Sequence, residues 1–122
     1  MNALLARQPD PDMVATSAAR AGVQNLVKSL STELAPAIRV NATLIGNVDS
    51  GQWERRYPTA SKPGQTLDDY LLEVAKEKRI PLGRLGTADE AAAAILFLSS
   101  PRAGFITGAA LEVAGGVSKS SW

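Results

Sequence analysis

The residues best placed to do chemistry sit where a β-rich run stops. Ile38-Arg39-Val40-Asn41-Ala42-Thr43-Leu44 is nearly all apolar or β-branched, and it breaks at Gly46 into the polar sequence Asn47-Val48-Asp49-Ser50. A strand ends there, and functional residues often sit at such ends. Trp53 and Tyr57 follow within the next turn or two. They either line an apolar ligand pocket or pin a long loop to its own domain. The chain contains no cysteine and no histidine, which removes disulfides, thiolate nucleophiles, imidazole bases and the commonest zinc ligands together. A metal site would have to be built from carboxylate and carbonyl oxygen, and no such cluster is assigned.

The elements that must position these residues follow from periodicity. From Val14 to Ala35 the apolar residues Val23, Leu26, Val27, Leu30 and Leu34 recur at intervals of three and four, which predicts a helix, with Gln24, Lys28, Ser31 and Thr32 on its other face. Thr16 or Ser17 is positioned to cap its start, and Pro36 ends it. The small residues Ala18, Ala19, Ala21 and Gly22 fit close packing on a sheet. Before the helix, Ala3-Leu4-Leu5-Ala6 gives way to Arg7-Gln8-Pro9-Asp10-Pro11-Asp12, which reads as a loop. The β-rich run predicts a strand from Ile38 to Leu44, covered on both faces and therefore parallel to its neighbours.

Beyond it, Gly46 to Gln65 reads as a long polar loop, of the kind that forms lids or binding loops. Thr66 with Asp69 opens a second helix, Leu67 to Lys78, and Thr87 with Glu90 forms a capping box that opens a third through Leu98. Ala110-Leu111-Glu112-Val113 is a short strand closed by Gly115-Gly116. The tail is expected to be ordered if Trp122 finds a pocket.

Composition bounds the rest. With 122 residues, 45% hydrophobic and 20% charged, the chain is one ordinary globular unit. Its net charge of +1 provides no field to argue for nucleic acid or an anionic membrane as partner. No apolar run approaches the roughly 20 residues of a membrane helix, and the N-terminus lacks the order of a secretory signal, so the expected location is cytoplasmic.

Four signatures, taken together and in order, resemble the C-terminal half of a short-chain dehydrogenase/reductase from Val14 to Gly116. They are the helix Arg20 through Leu34, Val40-Asn41 through Ser50, Pro81-Leu82-Gly83-Arg84-Leu85-Gly86 with Glu90, and Thr107-Gly108 through Gly115-Gly116. The family's Pro-Gly appears here as Ile45-Gly46. The helix resembles the members that read Ala-Ala-Arg-Ala-Gly-Val, as Ala18 to Val23 do. The resemblance implies an α/β fold, the C-terminal portion of a Rossmann-like doubly wound parallel sheet with flanking helices. Residues 1 to 122 would then form a single partial domain.

It also implies NAD or NADP as cofactor, a carbonyl or alcohol as small-molecule substrate, and a homo-oligomer, dimer or tetramer. The family's catalytic tyrosine and lysine fall on Thr16 and Arg20. An aliphatic hydroxyl is a far weaker acid than a phenol of pKa about 10, so Thr16 does not replace the tyrosine's proton chemistry. No Ser, Thr or Tyr precedes Thr16 to serve as the family's catalytic serine. The implied cofactor positions are Arg20 on a ribose hydroxyl, Gly46, Val48 at the nicotinamide carboxamide, and Ser50 near the phosphates. No Gly-x-Gly occurs, so the glycine-rich phosphate-binding half is not represented. The chain by itself is therefore expected to be inactive. The alternative is a non-catalytic, self-associating scaffold with the same fold.

Overall fold

Three parallel strands carry the site. In the computed structural model, which describes residues 1–119, β1 (Asn2–Ala3), β2 (Ala42–Ile45) and β3 (Ala110–Val113) lie in the order β1-β2-β3. Asn2 is opposite Leu44, and Leu44 is opposite Glu112. Parallel neighbours need a crossover rather than a hairpin. Helix α1 (Val14–Glu33) supplies the first, while α2 (Gly51–Ala60), α3 (Leu67–Glu77) and α4 (Ala88–Ser99) fill the second. The parallel α/β architecture read from the sequence is the one observed. Leu44, at the centre of the middle strand, is completely buried.

The two capping boxes are present as read. Thr66 Oγ1 accepts from Asp69 N–H at the start of α3, and Thr87 Oγ1 accepts from Glu90 N–H at the start of α4. The Asp69 and Glu90 side chains answer by accepting the cap residues' N–H groups, so two end donors are satisfied at each helix.

Several expectations need correction. The strand begins at Ala42, not Ile38, because Arg39 and Asn41 meet their neighbours through side chains instead of a ladder. Arg39 Nη1 donates to the carbonyls of Leu98, Ala103 and Ile106 at 2.9, 2.8 and 3.2 Å, and Nη2 donates to Ser100 O at 3.1 Å. The guanidinium thus caps the end of α4 and the turn after it, where carbonyls lack helical partners. Asn41 donates to Ile106 O and accepts from Ala109 N–H, standing in for one rung of the sheet. The expected opening loop contains β1 and a 3₁₀ turn at Leu4–Ala6.

The expected loop from Gly46 to Gln65 contains α2, ten residues long, in spite of Pro58. Proline removes the N–H that would donate to Glu54 O, yet the helix runs on through it to Ala60, and Ser61 N–H closes the end on Tyr57 O at 2.9 Å. Neither Thr16 nor Ser17 caps α1. Asp10 caps the 3₁₀ turn Pro11–Met13 that leads into it, and Ser17 Oγ accepts from Asp10 N–H at 3.2 Å.

The buried face of α1 is also not its apolar stripe. Ser17 and Ser31 are buried while Val23 and Leu26 are 44% and 55% exposed. The contact there demands small groups: a Cβ on Gly108 would lie 2.6 Å from Ser31 Oγ, so the helix and the bend before β3 approach too closely for a leucine. Gly22, by contrast, faces open space and takes no part in the contact. The largest apolar cluster lies elsewhere, with Trp53, Tyr70, Val74, Ala75, Ile80 and Leu85 tying α2, α3 and the turn before α4 into one body. The expectation for Trp122 falls outside the described residues.

Candidate cofactor and substrate site

At the carboxyl end of β2 the backbone is held by three separate constraints. Gly46 N–H donates to Val113 O at 3.0 Å, and the two chains run so close that a Cβ on Gly46 would be 2.9 Å from both Cα and Cβ of Ala114. Glycine is required there by contact. Two residues on, Val48 forms an isolated parallel bridge with Gly86, through Gly86 N–H to Asn47 O at 3.1 Å and Asp49 N–H to Gly86 O at 2.7 Å. In that pattern the bridge residue itself lends nothing to its partner, so the Val48 N–H and C=O point the other way. The carbonyl accepts Trp53 Nε1–H at 2.9 Å, and the N–H has no partner among the described residues. Ser50 stands at the N-cap of α2 in extended conformation, but its hydroxyl makes no capping bond, contrary to the capping role its position suggests.

A cavity of about 480 Å³ lies between the strand end and α4. Val48, Ser50 and Trp53 border one side, and Ala88, Ala91 and Ala92 on the early turns of α4 leave room on the other. The wall behind the loop is stiffened by a pair that sequence reasoning noticed only as a helix cap. Arg84 donates to both carboxylate oxygens of Glu90, at 2.9 and 2.6 Å, and to Leu85 O at 3.0 Å. Glu90 also accepts from Thr87 N–H at 2.8 Å. The Arg84 hydrogen bond, then that backbone bond, hold the Glu90 carboxyl at about 2. The turn carrying Gly86, and through it Val48, is therefore tied at the start of α4.

The residues singled out in sequence do not all meet. Thr16 is exposed in the first turn of α1 and Arg20 is half-buried one turn later, its carbonyl accepting from the buried Asn2 side chain at 3.0 Å. Because β1, α1 and β2 form a parallel crossover, the start of α1 and the end of β2 lie at the same edge of the sheet. That topology brings Thr16 and Arg20 to the edge occupied by Gly46, Val48 and Ser50, without direct contact. Trp53 belongs to the core, 7% exposed, with Arg56 lying 5.5 Å over its ring, and it also borders the cavity. Tyr57 turns away from that cavity: its ring packs on Tyr70 at 5.8 Å and its hydroxyl donates to Gln65 O. Pinning the chain between α2 and α3 is what Tyr57 does here. Among the described residues no cluster of three metal-ligating side chains occurs, and no helix is long and apolar enough to cross a membrane.

Residues 1–118 match the family model described as enoyl-(acyl carrier protein) reductase. An apo structure of a short chain oxidoreductase from Pseudomonas aeruginosa PAO1, containing an atypical catalytic center, superposes with a TM-score of 0.95 at 52% identity. The chain belongs to the short-chain dehydrogenase/reductase family. The superposition covers 98% of this chain and 46% of the Pseudomonas protein, whose NADPH-bound form gives a TM-score of 0.88 over similar shares. An uncharacterized oxidoreductase of Schizosaccharomyces pombe is 36% identical over 104 residues, 84% of this chain and 37% of that protein. The chain thus spans less than half the length of these relatives. Its parallel sheet and flanking helices are those of the family's Rossmann-type fold for NAD(P)-dependent oxidoreductases.

Proposed function

We propose that this chain supplies the nicotinamide side and substrate side of an NAD(P)-dependent oxidoreductase that interconverts a carbonyl and an alcohol. The observation that carries this is the open Val48 amide two residues from an uncapped Ser50 hydroxyl, at the carboxyl edge of a parallel sheet, where both residues border a cavity. An amide N–H with a carbonyl that keeps a second lone pair matches the acceptor and donor of a carboxamide. Val48 would hold the nicotinamide carboxamide, Ser50 would lie near the cofactor phosphates, and Arg20 would reach a ribose hydroxyl. Bound there, the cofactor supplies or takes the hydride. Gly46 acts indirectly, by letting β2 and β3 close up so that the loop leaves at the right angle.

Proton chemistry is where this chain departs from its family. Thr16 stands in the tyrosine place and is too weak an acid to donate near neutral pH, and Arg20 stands in the lysine place as a planar five-donor fork. Their contribution is binding and orientation, not proton transfer. Without a glycine-rich turn for the pyrophosphate, the chain by itself holds the cofactor weakly and does not turn over. The same surfaces support self-association, because Val23 and Leu26 on α1, and Leu96, Phe97 and Phe105 around α4, are exposed apolar side chains.

Saturation-transfer NMR of NADPH with the chain tests the assignment whatever the affinity. Nicotinamide protons should receive more saturation than adenine protons. Equal transfer, or transfer mainly to adenine, would mean that the chain does not carry the nicotinamide side.

A further inference from the structure

We propose that Trp53 is a positioning residue for this site: its indole N–H holds the Val48 carbonyl, fixing the peptide unit that follows the Val48 amide and with it the loop that carries that amide. The proposal rests on Val48 being the carboxamide contact. A peptide unit is planar, so holding it at both ends fixes its orientation. The unit between Val48 and Asp49 is held at its N–H by Gly86 O at 2.7 Å and at its C=O by Trp53 Nε1 at 2.9 Å. The preceding unit is anchored through Asn47 O to Gly86 N–H at 3.1 Å, and its trans geometry sends the Val48 N–H away from Gly86. Gly86 alone would hold the loop from one side and leave it free to swing about that bridge. Trp53 supplies the hold on the opposite side.

The indole is itself fixed. It is packed in the cluster with Tyr70, Val74 and Leu85, and Arg56 covers its ring. A buried indole N–H must find an acceptor, and the one it takes is the carbonyl of the residue whose amide is open. The packing of the α2–α3 body is thereby transmitted to one backbone donor at the site. Phenylalanine at 53 would fill most of the same space but leave the Val48 carbonyl without its partner.

The test compares the chain with Trp53→Phe, reading backbone amide shifts while nicotinamide mononucleotide or ribose 5-phosphate is added. The second ligand lacks the carboxamide. In the wild type, nicotinamide mononucleotide should move the Val48 amide and ribose 5-phosphate should not. In Trp53→Phe the affinity for nicotinamide mononucleotide should fall about three- to tenfold, the loss of one hydrogen bond, while any response to ribose 5-phosphate stays as it was. Amide exchange at Asp49 should quicken. Unchanged affinity for nicotinamide mononucleotide, or an equal fall for both ligands, overturns the positioning role and leaves the site assignment standing. If nicotinamide mononucleotide leaves Val48 unmoved in the wild type, the site assignment fails and the inference goes with it. Should Trp53→Phe lose its dispersed spectrum, 3-benzothienylalanine at position 53 carries the same comparison, since it keeps the ring size and replaces N–H by sulfur.

Discussion

Replacing Gly46 by alanine puts one methyl group where the structure has no room for it. The new Cβ would lie 2.9 Å from Ala114 Cα and Cβ, against an ordinary carbon–carbon contact of about 3.5 to 4.0 Å. The strands must separate by about 0.6 Å or more to admit it, and they are joined at that point by the 3.0 Å bond from Gly46 N–H to Val113 O. Neither contacted atom is the end of a flexible side chain, so the backbone has to give. Overpacking of this kind costs about 1 to 3 kcal/mol, and straining the bond adds about 0.5 to 1.5 kcal/mol, for a total of about 1.5 to 4.5 kcal/mol. Gly22→Ala is the matched control: it lies inside α1 with nothing within 4 Å, and there alanine should stabilise by about 0.5 to 1 kcal/mol. Urea unfolding followed by far-ultraviolet circular dichroism, at one fixed protein concentration, measures both. A Gly46→Ala variant within about 0.5 kcal/mol of wild type, or a destabilised Gly22→Ala, would refute the contact reasoning.

Two further outcomes are expected. The Glu90 carboxyl is held at about 2, below its ordinary 4.5, so its contribution to stability is present above 4.5 and drains away as pH falls from there through 2. The urea midpoint of wild type should drop between about pH 6 and about pH 3 by more than that of Glu90→Gln, and equal drops would show that the Arg84 pair adds nothing. Sedimentation at micromolar concentration should reveal dimers or larger species that Leu26→Glu weakens, because Leu26 is 55% exposed on α1. A clean monomer with a cooperative thermal transition would show that the chain covers its own core.

What sequence reading recovered depended on whether local chemistry and tertiary contact agreed. Thr66 with Asp69 and Thr87 with Glu90 are local devices, complete within four residues, and both helices start where those residues place them. The parallel pairing of β2 and β3 followed from the length and helical content between them. Long-range use of polar side chains was not legible. Arg39 reaches carbonyls around residue 100, and Asn41 replaces a rung of the ladder, so a run that looks like strand from Ile38 starts pairing only at Ala42. On α1 the periodic leucines and valines advertise a buried face, yet the buried residues are Ser17 and Ser31, and at Ser31 the close approach of Gly108 is the reason.

At the site, the strand-end glycine and the following loop could be found from the sequence alone. The open Val48 amide could not, because it depends on a bridge to Gly86, 38 positions away, and on an indole from the next helix. Trp53 was legible only as an aromatic with two possible uses, and it serves both, as core and as a wall of the cavity. Pro58 hid α2, since a proline within a polar stretch reads as a break.

Titrating NADH and NADPH against the tryptophan fluorescence of the chain tests the central claim most directly, since Trp53 borders the cavity and bonds Val48. On the proposed reading the chain carries the nicotinamide side of the site without a glycine-rich phosphate cradle, whose charge-assisted contacts are worth roughly 1.5 to 3 kcal/mol each. The fluorescence change should therefore stay shallow and unsaturated through the micromolar range for both cofactors. Saturable binding with Kd below about 10 µM, roughly −7 kcal/mol, would contradict the account, because it would mean that these residues form a complete cofactor site by themselves.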